Sequence, residues 1–148
     1  MRSTLSVLAL FVFVVACQQD RRPLPVEFRI AERTPGDSLV QMVLSGWGNE
    51  DTFFVHQNTE LSGDAITSAE VTHMNEHPAI AVEFSAEGAE ILARLTGSNV
   101  DRHLAMIIDG VLVSAPLIRA KIDGGRAIIN GDFTSENASE IADRLTIH

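Results

Sequence analysis

Outside one cysteine, nucleophilic chemistry in this chain of 148 residues would have to be assembled from hydroxyls and five histidines. A serine nucleophile needs a base beside it, and Ser62 or Ser114 with one of those histidines would supply the residue types. Neither serine lies in a motif of the G-x-S-x-G kind. Ser114, at a strand end before Pro116, is expected to pair or cap instead. His73 and His77 stand four apart, which on a helix is a zinc spacing. Pro78 follows directly, biases His77 toward extended backbone, and works against a helix through both; the order H-E-x-x-H is also absent. No catalytic residue, metal or cofactor is therefore expected, and the protein reads as a non-enzyme. Trp47 is the one tryptophan, set between Gly46 and Gly48. Such a residue can anchor a ligand through its apolar area and indole N–H, although a lid over the edge of the core is the more common use.

The cysteine is Cys17, at the end of a stretch with the marks of an export signal. Arg2 gives a positive start, Leu5 to Val15 an apolar run, and Val14-Val15-Ala16 a small-residue approach to the cleavage point. The run falls short of the roughly 20 residues that cross a bilayer as a stable helix, so residues 1–16 are expected to be a cleaved signal peptide. Val14-Val15-Ala16-Cys17 resembles the bacterial lipobox. That resemblance implies lipidation at Cys17, palmitate included, and a membrane attachment through the new N-terminus. Gln18 is not the Asp associated with inner-membrane retention, which favours the outer membrane, facing the periplasm. Residues 17–25, polar and with two prolines after the cysteine, read as a tether reaching on the order of 25–30 Å when extended.

No further cysteine follows, so the exported part cannot form an internal disulfide and must rely on its core. Eleven Lys and Arg face twenty Asp and Glu, for a formal charge of −9, which makes nucleic acid and anionic lipid poor partners. The rest of the chain, 26–148, is enough for one ordinary domain.

The clearest local signal is Asp109-Gly110. An Asp-Gly pair between β-rich runs favours a type I′ turn, so Leu104 to Ile108 and Val111 to Ala115 are expected to pair, with much of both faces covered and Pro116 ending the ladder. Val26 to Ala31 alternates as a half-buried strand before Pro35-Gly36 breaks it. Ser38 to Asp51 fits helix or strand, Gly46-Trp47-Gly48 reads as irregular, and Phe53 to His56 as strand. Leu61 to Ile66 suggests a short helical turn capped by Ser62 or Asp64. Val71 to Met74 is a further strand, and Asn75 to Pro78 a turn. Ala79 to Phe84 then places Ile80, Val82 and Phe84 on one face. Ser85 caps a helix with Ala89, Leu92, Ala93 and Thr96 in register and Gly97 at its end. Arg126 to Ile129 is strand, Gly131 a close approach, and Thr134 the cap of a last helix with Ala138, Ile141, Ala142 and Leu145 as its stripe. The fold class expected is α+β, a two-layer sandwich of mostly antiparallel sheet with two amphipathic helices on one face.

Pro78-Ala79-Ile80, Phe84, Gly88-Ala89, Leu95-Thr96, Asn99, Leu104-Ala105, Asp109-Gly110, Ser114-Ala115-Pro116, Gly125, Ile129, Gly131 with Phe133, Ala138 and Leu145 together resemble a known pattern. It is that of the head subdomain of the first periplasmic domain of SecD, the protein-export accessory subunit. Leu61-Ser62-Gly63, Ala69 and the strand Val26-Glu27-Phe28-Arg29 fit the same pattern. One departure is Asp101 before Arg102, where the family commonly has Gly before a basic residue, so a different local loop is expected. SecD also continues beyond this point into a base subdomain and six transmembrane helices. The resemblance implies a head that holds an emerging preprotein outside the membrane while proton flow through the membrane part moves it.

The expectation is a lipid-anchored periplasmic module that inherits the binding head alone and holds unfolded or translocating polypeptide without catalysis. The alternative is a structural lipoprotein that docks one folded envelope partner. An accessible sheet edge with an apolar surface near Trp47 or Phe53-Phe54 would favour the first.

Overall fold

The computed structural model describes residues 22–146. The expected signal peptide, Cys17 and most of the tether lie outside the described residues. Nine strands and two helices follow in the order β1 (Val26–Glu32), β2 (Leu39–Gly46), β3 (Asn49–His56), β4 (Leu61–Ser62), β5 (Ile66–Met74), β6 (His77–Phe84), α1 (Ala86–Gly97), β7 (His103–Ile108), β8 (Val111–Ser114), β9 (Arg126–Asn130) and α2 (Ser135–Leu145). One 3-10 turn, Gly63–Ala65, joins β4 to β5, with the Ser62 hydroxyl accepting from the Asp64 N–H. The fold class is α+β with antiparallel pairing throughout, and the strands divide between two sheets. The larger runs β2-β3-β1-β7-β8, with β4 also paired to β1, and the smaller runs β5-β6-β9.

Three of the hairpins close on two-residue loops in which both residues have positive φ: Trp47-Gly48, Asn75-Glu76 and Asp109-Gly110. That is the backbone of a type I′ turn, whose twist matches the flanking strands. The Asp109-Gly110 hairpin forms as expected, with a register shift between Met106 and Ile107. The stretch at Gly46-Trp47-Gly48, expected to be irregular, is instead the tightest turn that two paired strands allow.

One core lies between the sheets. Val26, Phe28 and Ile30 of β1 and Leu104, Met106 and Ile108 of β7 meet Ile80, Val82 and Phe84 of β6, and both helices contribute, through Leu92 and Leu95 and through Ala138, Ala142 and Leu145. Alternation in β6 buries the three expected residues. In α1 the buried positions are Gly88, Leu92, Leu95 and Thr96, so the stripe is shifted from the expected one: Ala89 and Ala93 lie on its border. Gly97 is the last helical residue and not a left-handed stop; the following Ser98 is right-handed and bonds back to Arg94 and Thr96. Ser85 and Thr134 cap α1 and α2 through their hydroxyls, as expected.

A second, smaller core covers the opposite face of the larger sheet, where Ala31, Phe53, Val55, Ala105, Ile107, Leu112 and Ala115 pack with Met42 and Leu44 against them. The reason is in the register. Only Ala31 and Glu32 of β1 pair with β3, at Val55 and Phe54, so most of the β2–β3 hairpin runs on past β1 and folds over the sheet toward β8.

Two boundaries differ from expectation. Pro116 lies two residues past the end of β8 but does not end all contact with the strand before it: Leu104 N–H reaches Pro116 O at 2.9 Å, Ile118 N–H reaches Arg102 O at 2.8 Å, and His103 bridges Leu117. Proline gives up a donor, not its carbonyl, so the ladder resumes one residue later. At the other end Leu24 is buried, Pro25 O accepts the Asp109 N–H, and Arg22 O accepts from Arg144 Nε, so the last residues of the expected tether belong to the domain. Asp101, in place of the family glycine, takes φ +67, the left-handed conformation that glycine favours and aspartate tolerates.

Candidate functional site

β2 carries eight residues, LVQMVLSG, with no charge, no proline and no bulge. It pairs with β3 along its whole length and, among the described residues, with no other strand. Alternation sends Val40 and Val43 to opposite faces, and each is 44% exposed. Natural sheets blunt such edges with charges, proline or bulges, because unpaired N–H and C=O groups accept another chain. β2 uses none of these.

Trp47 stands at the tip of this edge, 51% exposed, and the expected lid over the core is therefore not its role. The tight turn decides this, since a side chain at the apex of a two-residue loop has left the face of either strand. Its backbone N–H donates to Asp132 Oδ2 at 3.1 Å, and its ring lies 6.0 Å from that of His77 at the start of β6. The tip thus rests where the smaller sheet and the approach to α2 meet. Beside it Ser45, Gly46, Gly48, Asn49, Glu50 and Asp132 line an open depression. Phe53 is buried and Phe54 half-buried, so the apolar surface here comes from β2 itself and the tip. Arg33 stacks 4.5 Å from the Phe53 ring centre and pairs with Asp51 at 3.1 Å.

A second polar cluster sits at the other end of the hairpin. Glu32 ends β1, His56 ends β3, and Arg102 precedes β7. Arg102 donates to Glu32 Oε1 through Nε at 2.9 Å and approaches His56 Nε2 at 2.8 Å through Nη2. His56 Nε2 also lies 3.3 Å from Glu32 Oε1, so the carboxylate faces both groups. Burial raises the Glu32 carboxyl, but the hydrogen bonds from Arg102 and His56 outweigh it and hold the group below the usual carboxylate value. Glu27 is also held low, by the Thr59 hydroxyl first and then Arg29, against the effect of burial. The cluster borders a cleft of about 240 Å³ with Ile30 and Leu95 on its floor. It ties three segments together.

The serines and histidines singled out for chemistry do not meet. Ser62 is spent on its cap, Ser114 is buried on β8, and His103 Nδ1 contacts Ala115 O at 2.8 Å. His73 lies on β5 and His77 across the hairpin turn on β6, opposite Met74, not on a helix. Among the described residues no group of three or more His, Cys, Asp or Glu is placed to hold a metal, and no helix is long and apolar enough to cross a membrane. The sequence reading did not find Val40, Val43 or Asp132. The absence of charge over Leu39 to Gly46 was the available signal for the valines, and nothing local points to Asp132.

Comparison with known proteins gives a consistent result. The family model for SecDF, P1 head subdomain, matches residues 39–146. The protein translocase subunit SecD of Syntrophobacter fumaroxidans is 38% identical over 95 residues, 63% of this chain and 18% of the relative. That of Magnetococcus marinus is 42% identical over 90 residues, 60% of this chain and 17% of the relative. The chain thus spans under a fifth of the length of these curated relatives. A solved structure of SecDF, described as a membrane component that enhances protein export, superimposes with a TM-score of 0.67 at 24% identity, covering 85% of this chain and 63% of that one, a likeness of fold. With the hairpins, the helix caps and most of the domain inside the matched span, the chain belongs to the SecDF P1 head subdomain family.

Proposed function

We propose that this chain is a lipid-anchored envelope module that takes extended polypeptide onto the free edge of β2, without catalysis. The observation that carries the reading is the make-up of an edge that is paired only to β3: eight uncharged residues, two exposed valines on opposite faces, and Trp47 at the tip. Main-chain hydrogen bonds to such an edge supply affinity with little dependence on sequence, while alternate side chains are gripped on either face. That is what a chain meeting many unfolded clients needs. The SecD relatives support a place beside protein translocation, and holding translocating or unfolded chains on the periplasmic side is the role we assign.

The anchor follows from the sequence. Residues 1–16 act as the signal, Cys17 carries the lipid, and several acyl chains on it hold stably where one would be marginal. Leu24 is already in the core, so the linker from Cys17 is short, on the order of 20–25 Å fully extended. Gln18 favours the outer membrane.

The test is a titration of the chain from residue 18 onward with unfolded envelope polypeptides and folded controls, followed by amide exchange. Selective binding with protection confined to Leu39–Gly46 is the expected result. Absence of binding at saturating concentration would reject the holding role, and crosslinking in cells to one folded envelope protein would then identify a docking function.

A further inference from the structure

We infer that the cleft between α1 and the loop joining β3 to β4 is a seat for a free α-amino acid with an apolar side chain. This is a second ligand class, and the inference does not rest on the reading of β2.

Three segments bound the cleft. Ile91, Arg94 and Leu95 come from α1, Glu60 from the β3–β4 loop, and Ile30 from β1. Ile30 and Leu95 are buried members of the main core, and the half-buried Ile91 packs against it, so the floor is apolar. At about 240 Å³ the cleft is smaller than the roughly 300–1,000 Å³ of a drug-sized site, which suits one side chain and the polar groups it carries. The wall toward β7 is fixed. Arg102 donates to Glu32 and Asn99, and Asn99 Nδ2 donates in turn to Leu95 O at 2.8 Å. An apolar floor with a few positioned polar groups at its margin is the usual make-up of a small-molecule site.

Charge then selects the occupant. Arg94 and Glu60 both line the cleft, yet they are not paired with each other or, among the described residues, with any other charge. Arg102, the other guanidinium of the lining, is balanced by Glu32. A cation in the last turn of α1 is explained by the helix dipole alone, but an unpaired carboxylate beside the same apolar floor is not. An α-amino acid answers all three features at once. Its carboxylate matches the forked donors of Arg94, its ammonium matches Glu60, and its side chain covers Ile30, Ile91 and Leu95. A polypeptide end offers only one of the two charges beside its terminal residue and leaves Arg94 or Glu60 without a counter-charge. Both groups are exposed, so each pair adds modestly, and the preference comes from meeting both together over a buried floor.

The experiment uses the full chain in detergent micelles and follows the methyl resonances of Ile30 and Ile91. Leucine, N-acetylleucine, leucinamide and N-acetylleucinamide are titrated in turn. We expect leucine to bind about fivefold tighter than either singly blocked form, and the doubly blocked form to bind weakest. R94Q should erase the penalty for the amide and keep that for acetylation, and E60Q should do the reverse. Both side chains are exposed, so neither change disturbs the core. A singly blocked form that matched leucine would make the cleft a seat for a chain terminus and overturn the free amino acid. Equal binding of all four would overturn the charge selection, and no methyl shift with any of them would overturn the site. A preference for leucine that survives in both variants would overturn the assignment to Arg94 and Glu60. None of these ligands is long enough to pair as a strand, so each outcome leaves the reading of β2 to its own titration.

Discussion

Asp132 receives the backbone N–H of Trp47 at 3.1 Å, across 85 residues of sequence. Through this bond the turn of the larger sheet is held against the loop that enters α2. Gly46 belongs to the same junction, since a Cβ there would come to 3.0 Å from Asp132 Cβ. The edge strand is thus positioned from outside its own sheet, at its tip.

Replacing Asp132 by Ala should therefore free the tip without unfolding the domain. We expect faster amide exchange from Leu44 to Glu50 and a stability loss of about 1 kcal/mol or less, because the bond is exposed. Exchange mass spectrometry with a denaturant titration checks it. Protection unchanged in that segment would show that the second core alone holds the hairpin down.

Gly88 sits in the first turns of α1, where alanine would ordinarily gain about 1 kcal/mol of helix propensity. Here a Cβ would approach Ala65 Cβ to 2.8 Å and Phe84 Cβ to 3.2 Å, atoms that cannot rotate away. Overpacking of that kind costs about 1–3 kcal/mol, so Gly88→Ala should be net destabilising. A higher melting temperature for the variant would show that α1 can shift outward freely.

Thr96 is fully buried, and its hydroxyl donates to Leu92 O at 2.8 Å while accepting the Ile122 N–H at 2.8 Å. Valine keeps the shape and strands that N–H. The expected cost is about 1–3 kcal/mol, with exchange rising first at Ile122. Thr96→Ser, which keeps the hydroxyl, should retain the Ile122 protection.

Glu32 sets an acid limit. Its carboxyl is held below the ordinary value in the fold, so the stabilisation is present above the unfolded-state value and lost as pH falls through the depressed one. Between neutral and acidic pH the melting temperature should fall less steeply in Glu32→Gln than in the unaltered chain, although the variant starts lower. Parallel curves would place the acid sensitivity elsewhere, with Glu27, also held low, as the next group to replace.

Much of this architecture is legible in local chemistry. Asp109-Gly110 predicts its turn because positive φ is a property of two residues, and the buried Ile80, Val82 and Phe84 follow from alternation within one strand. Ser85 and Thr134 cap their helices because a hydroxyl and an N–H three residues on need no distant help. The family pattern rests on the same spacings. What sequence spacing does not carry is any relation between segments far apart. The division into two sheets, the burial of Leu24 under the domain, and the Glu32–His56–Arg102 cluster each depend on which elements become neighbours. Trp47 shows the difference most plainly: its type offered both lid and anchor. A two-residue turn lifted it off either strand face, and an aspartate 85 residues away fixed where it stands, so tertiary contact alone decided between them.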